Sequence, residues 1–293
     1  MLGAIIGDTV GSVYEFENIK TITFEPFFHP ESEFTDDSIL SIAVADWLLN
    51  TDRSQNALEK CFLRWGERFP YPAGGYGSNF ERWLFHPETL HSYRDRNHPE
   101  DPDYGTRHPY YSWSNGSAMR VSACGWIACS IDEALDLAKR SAQITHNHPE
   151  GIKGAQATAA VIFLARNGFS KEQIRSYIEH EFGYDLSHSC DEIRPNYAWE
   201  SSCKGTVPPA IIAFLESTSY EHAIRLAVSL GGDSDTLACI TGGMAEAYAT
   251  AHSNQATSDY YEGITPAMVE HMRLILPQDM WDIVIRVSNG QNY

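Results

Sequence analysis

Two short stretches of the chain set oxygen donors side by side. The first is Thr35-Asp36-Asp37-Ser38. The second is Asp233-Ser234-Asp235-Thr236, preceded by Gly231-Gly232. Each stands directly before an apolar run, Ile39-Leu40-Ser41-Ile42-Ala43 and Leu237-Ala238-Cys239-Ile240. Asp, Ser and Thr are favoured helix N-caps, and the helix dipole welcomes carboxylates there. One cap consumes one such residue, whereas each cluster carries at least three. Adjacent carboxylates repel unless a positive charge lies between them. Carboxylate and hydroxyl oxygens suit a hard cation such as Mg2+ or Mn2+, where zinc would draw His and Cys. Together the clusters hold donors enough for two ions, provided the fold joins them. Spacing alone does not establish that meeting.

Four further stretches carry possible chemistry. In Gly7-Asp8-Thr9-Val10-Gly11-Ser12-Val13-Tyr14-Glu15-Phe16, Asp8 reads as a buried polar group bonded to backbone. Glu15 is either a surface carboxylate closing a helix or a working acid. In Gly74-Gly75-Tyr76-Gly77-Ser78, bare backbone amides of a glycine turn can bind phosphate. Asn115-Gly116-Ser117-Ala118-Met119-Arg120 follows Tyr110, Tyr111 and Trp113. It is either an ordinary loop-to-helix junction or a set of amides on a pyrophosphate, with a ring against a base or sugar. Thr145-His146-Asn147-His148-Pro149 holds a His-x-His pair, which raises a zinc amidohydrolase using His146 and His148 as a rival. That chemistry usually sits at strand ends in a β/α barrel. Here the pair is expected to close a helix, with no alternating strands around it, so substrate contact or capping is preferred.

The elements that must position these residues read as helices. Ser130-Ile131-Asp132-Glu133 and Ser170-Lys171-Glu172-Gln173 have the capping-box pattern, each followed by apolar residues at helical spacing. Ser219 caps a run through Ala223, Ile224 and Ala227, and Thr265-Pro266 places a cap before proline at the first helical position. Gly3, Gly7 and Gly11 recur every four residues, and Gly154 to Ala160 is similarly slim. Small side chains let helix axes approach closely, which predicts an all-α, compact bundle. Residues 86–117 and 183–209 break the helical pattern, the second ending in Val207-Pro208-Pro209. Loops this long inside a domain tend to be lids or binding loops. With no Gly/Ser linker, repeat or low-complexity tract, residues 1–293 read as one domain.

Composition bounds the rest. The chain has 293 residues, 43% of them apolar, so it can bury a sizeable core. Its 21 Lys and Arg against 39 Asp and Glu leave a formal charge of −18. That balance argues against nucleic-acid binding, which needs clustered cations. The six cysteines form no Cys-x-x-Cys pair and are expected to be buried free thiols. The N-terminus lacks the basic segment of a secretory signal. The longest apolar stretch, Val207 to Leu215, contains two prolines and is too short for a bilayer, which needs about 20 residues. A cytoplasmic protein is expected, with monomer as the default state.

Taken in order, the stretches GAIIGDTVGSVYEF, FTDDSIL, GYGSNF, NGSAMRV, ITHNHPEGIKGAQA and SLGGDSDTLACITGGMAEAY resemble the ADP-ribosylglycohydrolase family. That family includes the dinitrogenase-reductase-activating glycohydrolases and the animal ADP-ribosyl-acceptor hydrolases. The resemblance runs from residue 3 to about 248. It implies an orthogonal helical bundle with two Mg2+ ions between the clusters, Mn2+ being a possible substitute. The ligands would be Thr35, Asp36, Asp37, Asp233, Asp235 and Thr236. The reaction implied is hydrolysis of the C1″ bond of ADP-ribose to an acceptor, with Asp37 and Glu15 as the catalytic carboxylates. Substrate contacts would come from Gly75, Tyr76, Gly77, Asn115, Gly116, Ser117, Met119 and His146, with Trp113 beside the adenosine. The partner implied is an ADP-ribose-bearing protein or small molecule, and nucleic acid enters only as a modified acceptor. Arginine, serine, O-acetylated ADP-ribose or a nucleic-acid end remain open, with Glu15 and the GYG stretch leaning toward O-linkages. The stretch from Arg94 to Trp113 has no counterpart and is assigned to an acceptor-facing rim. A non-catalytic ADP-ribose-binding module, such as an immunity partner, stays as the alternative.

Overall fold

A computed structural model describes residues 1–90, 107–254 and 256–289, and among them no β-strand forms. The helices are α1 (Leu2–Gly11), α2 (Asp36–Asn50), α3 (Gln55–Arg68), α4 (Ser78–Phe85) and α5 (Ser122–Ile127). There follow α6 (Ile131–Gln143), α7 (Pro149–Arg166), α8 (Lys171–Phe182), α9 (Cys190–Ile193) and α10 (Cys203–Glu216). The last four are α11 (Tyr220–Leu230), α12 (Ser234–Ala251), α13 (Pro266–Ile275) and α14 (Gln278–Asn289). The all-α expectation holds. Among the described residues, no helix is long and apolar enough to cross a membrane.

The glycine stripe of α1 sets the centre of the molecule. All ten residues of α1 are buried, and the helix lies along α12. A Cβ on Gly3 would sit 2.5 Å from the Gly242 carbonyl oxygen, on Gly7 2.0 Å from that of Ala238, and on Gly11 2.5 Å from the Cα of Asp235. Backbone therefore meets backbone along the whole contact, a separation that only glycine permits. The start of α1 is fixed by Glu246 of α12. Its carboxylate accepts the Leu2 and Gly3 amides at 3.1 and 2.9 Å and pairs with the Met1 amino group. The Tyr220 hydroxyl on α11 donates to the Gly3 carbonyl at 2.7 Å.

The helix starts follow their caps. Thr35, Ser54, Ser130, Ser170, Ser202, Ser219 and Thr265 each accept a first-turn amide. Ser170 and Gln173 complete a reciprocal capping box. Glu133 does not return to Ser130 but reaches one residue further, to the Cys129 amide at 2.7 Å. Five cysteines are buried and Cys129 is exposed, all of them free.

Two expectations need correction. The stretch 183–209 contains α9, which opens on a Ser189–Glu192 capping box, and the start of α10. Val207-Pro208-Pro209 lies inside α10 rather than ending a loop. Proline at 209 removes the amide that would bond the Gly205 carbonyl. The Tyr197 hydroxyl takes that place, donating to it at 3.0 Å. The His146/His148 pair does not close a helix either. His146 follows the end of α6, and His148 is the N-cap of α7, accepting the Glu150 amide at 3.0 Å. Of the stretch 94–113, residues 94–106 lie outside the described part.

Candidate active site

Asp8 is the residue through which α1 orders α2. Its carboxylate accepts the Thr35 amide at 2.9 Å, the Thr35 hydroxyl at 2.6 Å, the Ser38 amide at 3.1 Å and the Ser38 hydroxyl. A charged group thus satisfies the free donors at the start of α2, where the helix dipole favours it. Thr35 in turn accepts the Asp37 amide at 3.2 Å. Burial pushes the Asp8 carboxyl up to about 6, against the pull of these hydrogen bonds.

Because α1 also carries α12, the two acidic clusters meet. Asp36, Asp37, Asp233, Asp235 and Thr236 line one cavity of about 680 Å³, together with Glu15. Carboxylate oxygens of Glu15, Asp233 and Asp235 lie within 4.8 Å of one another. Burial raises Asp36, Asp37 and Asp235 well above the usual carboxylate range, and neighbouring acids add to it: Asp8, Asp233 and Glu15 for Asp36, Asp36 above all for Asp37, and Asp233, Asp37 and Glu15 for Asp235. Burial, then Asp233 and Asp8, push Glu15 up to about 7. So many acids in one partly dry space cannot all ionise unless a cation joins them.

The donor set fits a hard cation. Among the described residues, Oδ2 of Asp37 is buried with no hydrogen-bond donor, an arrangement costly for a carboxylate oxygen unless a further group meets it. The remaining donors are carboxylates and the Thr236 hydroxyl, which suit Mg2+ or Mn2+ better than zinc. The zinc rival finds no such support. His146 bonds Ser114 Oγ at 2.9 Å through Nε2 and Thr145 Oγ1 at 2.7 Å through Nδ1, while the ring of His148 packs edge-on against Tyr111 and Trp113.

The cavity walls come from three segments. A bridge between Thr35 and Ala73 sets the glycine turn beside the start of α2. A Cβ on Gly75 or Gly77 would meet nothing within 4 Å, so these backbones border open space. Tyr76 is buried there, its hydroxyl donating to the Phe69 carbonyl at 2.9 Å. Opposite, Asn115 donates through Nδ2 to Asp233 Oδ2 at 2.8 Å and to Thr206 Oγ1 at 3.1 Å, so its side chain orients an acid of the floor. Gly116 borders His146, whose Nε2 would be 3.1 Å from an added Cβ. Burial, with the Arg120 cation adding, holds His146 well below the ordinary histidine range. Arg120 is fully buried against the faces of Phe62 and Phe80, bonding the Ser141 carbonyl and Thr145 Oγ1.

Of the residues expected from sequence, Glu15, Asp36, Asp37, Gly75, Tyr76, Gly77, Trp113, Asn115, Gly116, Met119, His146, Asp233, Asp235 and Thr236 all line this cavity. Thr35 and Ser117 lie one layer beneath it. Ser117 donates to the Gly151 carbonyl at 2.7 Å, and Thr35 is held by Asp8. Sequence reasoning passed over Phe16 and Trp199, two exposed rings stacked at the mouth with centroids 5.7 Å apart and planes 14° apart. An exposed aromatic outside any periodic run leaves no signal in the sequence, and the pairing joins residues 183 positions apart.

Comparison with known proteins agrees with the geometry. The family model described as ADP-ribosylglycohydrolase matches residues 1–252. ADP-ribosylhydrolase ARH3 of Mus musculus is 26% identical, the match covering 85% of this chain and 82% of that protein. ADP-ribosylarginine hydrolase Tri1 of Pseudomonas putida (strain GB-1) is 24% identical, covering 84% and 68%. A solved structure titled ADP-ribosylglycohydrolase-related protein complex superposes with a TM-score of 0.64 at 22% identity, covering 99% of this chain and 96% of that one, a likeness of fold alone.

Proposed function

The chain belongs to the ADP-ribosylglycohydrolase family, whose reaction is hydrolysis of ADP-ribosyl bonds, and we propose that it cleaves the C1″–acceptor bond of ADP-ribose at a two-magnesium centre. One observation carries the reading: acids nearly 200 positions apart, Asp36 and Asp37 with Asp233 and Asp235, share the floor of one cavity with Glu15. The cavity volume falls in the range of small-molecule sites, roughly 300–1,000 Å³.

Asp36, Asp37, Asp233, Asp235 and Thr236 would hold the ions, with Thr35 beneath them offering its remaining hydroxyl lone pair. Bound there, divalent cations supply a template for the ribose hydroxyls and polarise the attacking water. The residues do the rest. Gly77 and Gly116 bring bare backbone to the cavity where the diphosphate would lie. Gly75, Asn115 and Ser117 hold those turns in place: the Gly75 amide donates to the Pro72 carbonyl at 3.1 Å, the Asn115 amide to the Ser201 carbonyl at 2.7 Å and the Ser117 hydroxyl to the Gly151 carbonyl at 2.7 Å. Tyr76 and Met119 wall the sugar, and Trp113 flanks the adenosine. His146, with both ring nitrogens taken by Ser114 and Thr145, sets the Ser114 hydroxyl at the cavity wall, where that hydroxyl would meet a polar edge of the substrate. The C1″ bond breaks through a transition state with oxocarbenium character. A carboxylate on the water's side would take its proton, a role proposed for Asp37 or Glu15, and the acceptor atom, which leaves with the bonding electron pair, is protonated in turn. Fixing the reacting groups in this way is worth several kcal/mol, on the order of the entropy saved by positioning.

The test is a panel of arginine-linked and serine-linked ADP-ribosyl substrates assayed with Mg2+, Mn2+ and EDTA. Asp36→Asn and Asp235→Asn are expected to abolish turnover while far-ultraviolet dichroism stays helical. Activity surviving both changes with chelator in excess overturns the metal mechanism. Tight ADP-ribose binding with no turnover on any linkage favours the non-catalytic module instead.

A further inference from the structure

Glu15, Asp233 and Asp235 stand close enough to repel, yet they come from two segments of chain that share no helix. Something must hold those segments together. Asn18 touches both. Its Nδ2 donates to the Tyr14 carbonyl at 2.6 Å, the Glu15 carbonyl at 3.0 Å and the Gly232 carbonyl at 3.0 Å, while its Oδ1 accepts the Gly232 amide at 2.7 Å. One carboxamide therefore joins the backbone of Glu15 to both polar groups of the residue preceding Asp233. Lys20 reinforces the same turn, donating to the Leu230 carbonyl and to the Tyr197 carbonyl at 2.6 Å.

The turn is shaped to receive this clamp. Gly231 and Gly232 have φ of +74° and +69°, a backbone that only glycine adopts readily. A Cβ on Gly231 would lie 2.8 Å from Lys20 Nζ and 3.1 Å from Asn18 Oδ1. Bare backbone is thus required both for the turn and for the approach of the side chains that grip it.

We propose that Asn18 is a positioning residue: it ties the Glu15 segment to the Gly231–Gly232 turn and so holds Glu15, Asp233 and Asp235 at the spacing a divalent cation needs before any cation arrives. The inference rests on the reading that these carboxylates receive a hard cation, and it adds the residue that pre-organises them. Partners that orient metal ligands typically change metal affinity by about 10–100-fold when removed.

The experiment is a calorimetric titration of Mn2+ into the full chain for wild type, Asn18→Ala, Glu15→Gln and the double variant, with a melting curve of each metal-free protein. Asn18→Ala is expected to weaken Mn2+ binding about ten-fold, while the metal-free melting temperature stays within a few degrees of wild type. In the Glu15→Gln background the same change is expected to have little further effect, because the tethered carboxylate is already gone. Unchanged Mn2+ affinity in Asn18→Ala overturns the proposal, as does an equal loss in both backgrounds. Wild type that takes up no Mn2+ sinks the cation reading itself, a failure distinct from the other two. Asn18→Ser keeps one short donor and acceptor. It serves if the alanine variant does not fold, with an intermediate loss expected and no loss again overturning the inference.

Discussion

Asp8 on α1 binds both the amide and the hydroxyl of Thr35, at 2.9 and 2.6 Å, and thereby fixes the start of α2 against the helix that also carries α12. This joint sets the start of α2, which carries Asp36 and Asp37 to the cavity floor. The first cluster is aimed by α2 and the second by α12; α1 packs on both, as α5 does, and α2 and α12 also touch directly.

Removing the Asp8 carboxylate therefore tests the joint. Asp8→Ala leaves the Thr35 and Ser38 donors buried without an acceptor. Unsatisfied buried donors cost about 1–3 kcal/mol each, less where hydroxyls can turn elsewhere. A loss of ~2–4 kcal/mol in urea unfolding is expected. A change within experimental error of zero would show that Asp8 is dispensable to the α1–α2 contact.

The second cluster predicts a change of opposite sign. Burial and the surrounding acids, Asp233 first, raise Asp235, so its ionised form strains the metal-free protein. Asp235→Asn keeps the oxygen that accepts the Thr236 amide at 2.9 Å and drops the charge. The metal-free melting temperature is expected to rise by about 2–4 °C. Mg2+ at about 100 times its dissociation constant stabilises the wild type by ~2.7 kcal/mol, and the variant is expected to lose that gain. Scanning calorimetry with Mg2+ and with EDTA reads both. A variant less stable than wild type in EDTA contradicts the repulsion argument.

His146 provides a pH dependence. Burial, with Arg120 adding, keeps its folded-state pKa well below the usual value near 6.5. The unfolded chain takes up the proton near pH 6.5 and the folded chain does not. The stability this contributes is complete above about pH 6.5 and is lost as pH falls toward the folded-state pKa. His146→Gln lacks the proton. The stability difference between the two proteins is expected to shift against wild type by up to about 1.4 kcal/mol per pH unit below pH 6. Urea unfolding at pH 7.5 and 5.5 checks it, and a difference that does not move with pH refutes it.

How far the sequence anticipated this arrangement follows from the range of the interactions involved. Local signals were legible: the serine and threonine caps, the four-residue glycine stripe and the excess of acids at two helix starts each need only a few neighbouring residues. Long-range satisfaction was not. Pro208 and Pro209 read as breakers because Tyr197, whose hydroxyl serves the Gly205 carbonyl, lies outside the helix that contains them. His146 and His148 read as one motif, yet one bonds Ser114 at the cavity and the other caps α7. Asn18 carries no motif at all, and its importance arises only from the segment 214 positions away that it grips.

The glycines allow the packing and binding roles of the site to be separated. At Gly7 an added Cβ would lie 2.0 Å from the Ala238 carbonyl oxygen, so α1 and α12 must part to admit it. Gly7→Ala is expected to cost ~3 kcal/mol or more, since overpacking against backbone relaxes poorly. At Gly77 the same methyl meets nothing within 4 Å, and φ is −55°, which alanine adopts freely. Gly77→Ala should leave the melting temperature within about 2 °C of wild type. If Gly77 borders the bound diphosphate, that methyl intrudes on the ligand, and ADP-ribose affinity is expected to fall about ten-fold, or ~1.4 kcal/mol. Titration calorimetry beside a melting curve decides it. Full affinity in Gly77→Ala would move the ligand away from the glycine turn, whereas a collapse in stability would mean that the turn bears on the fold.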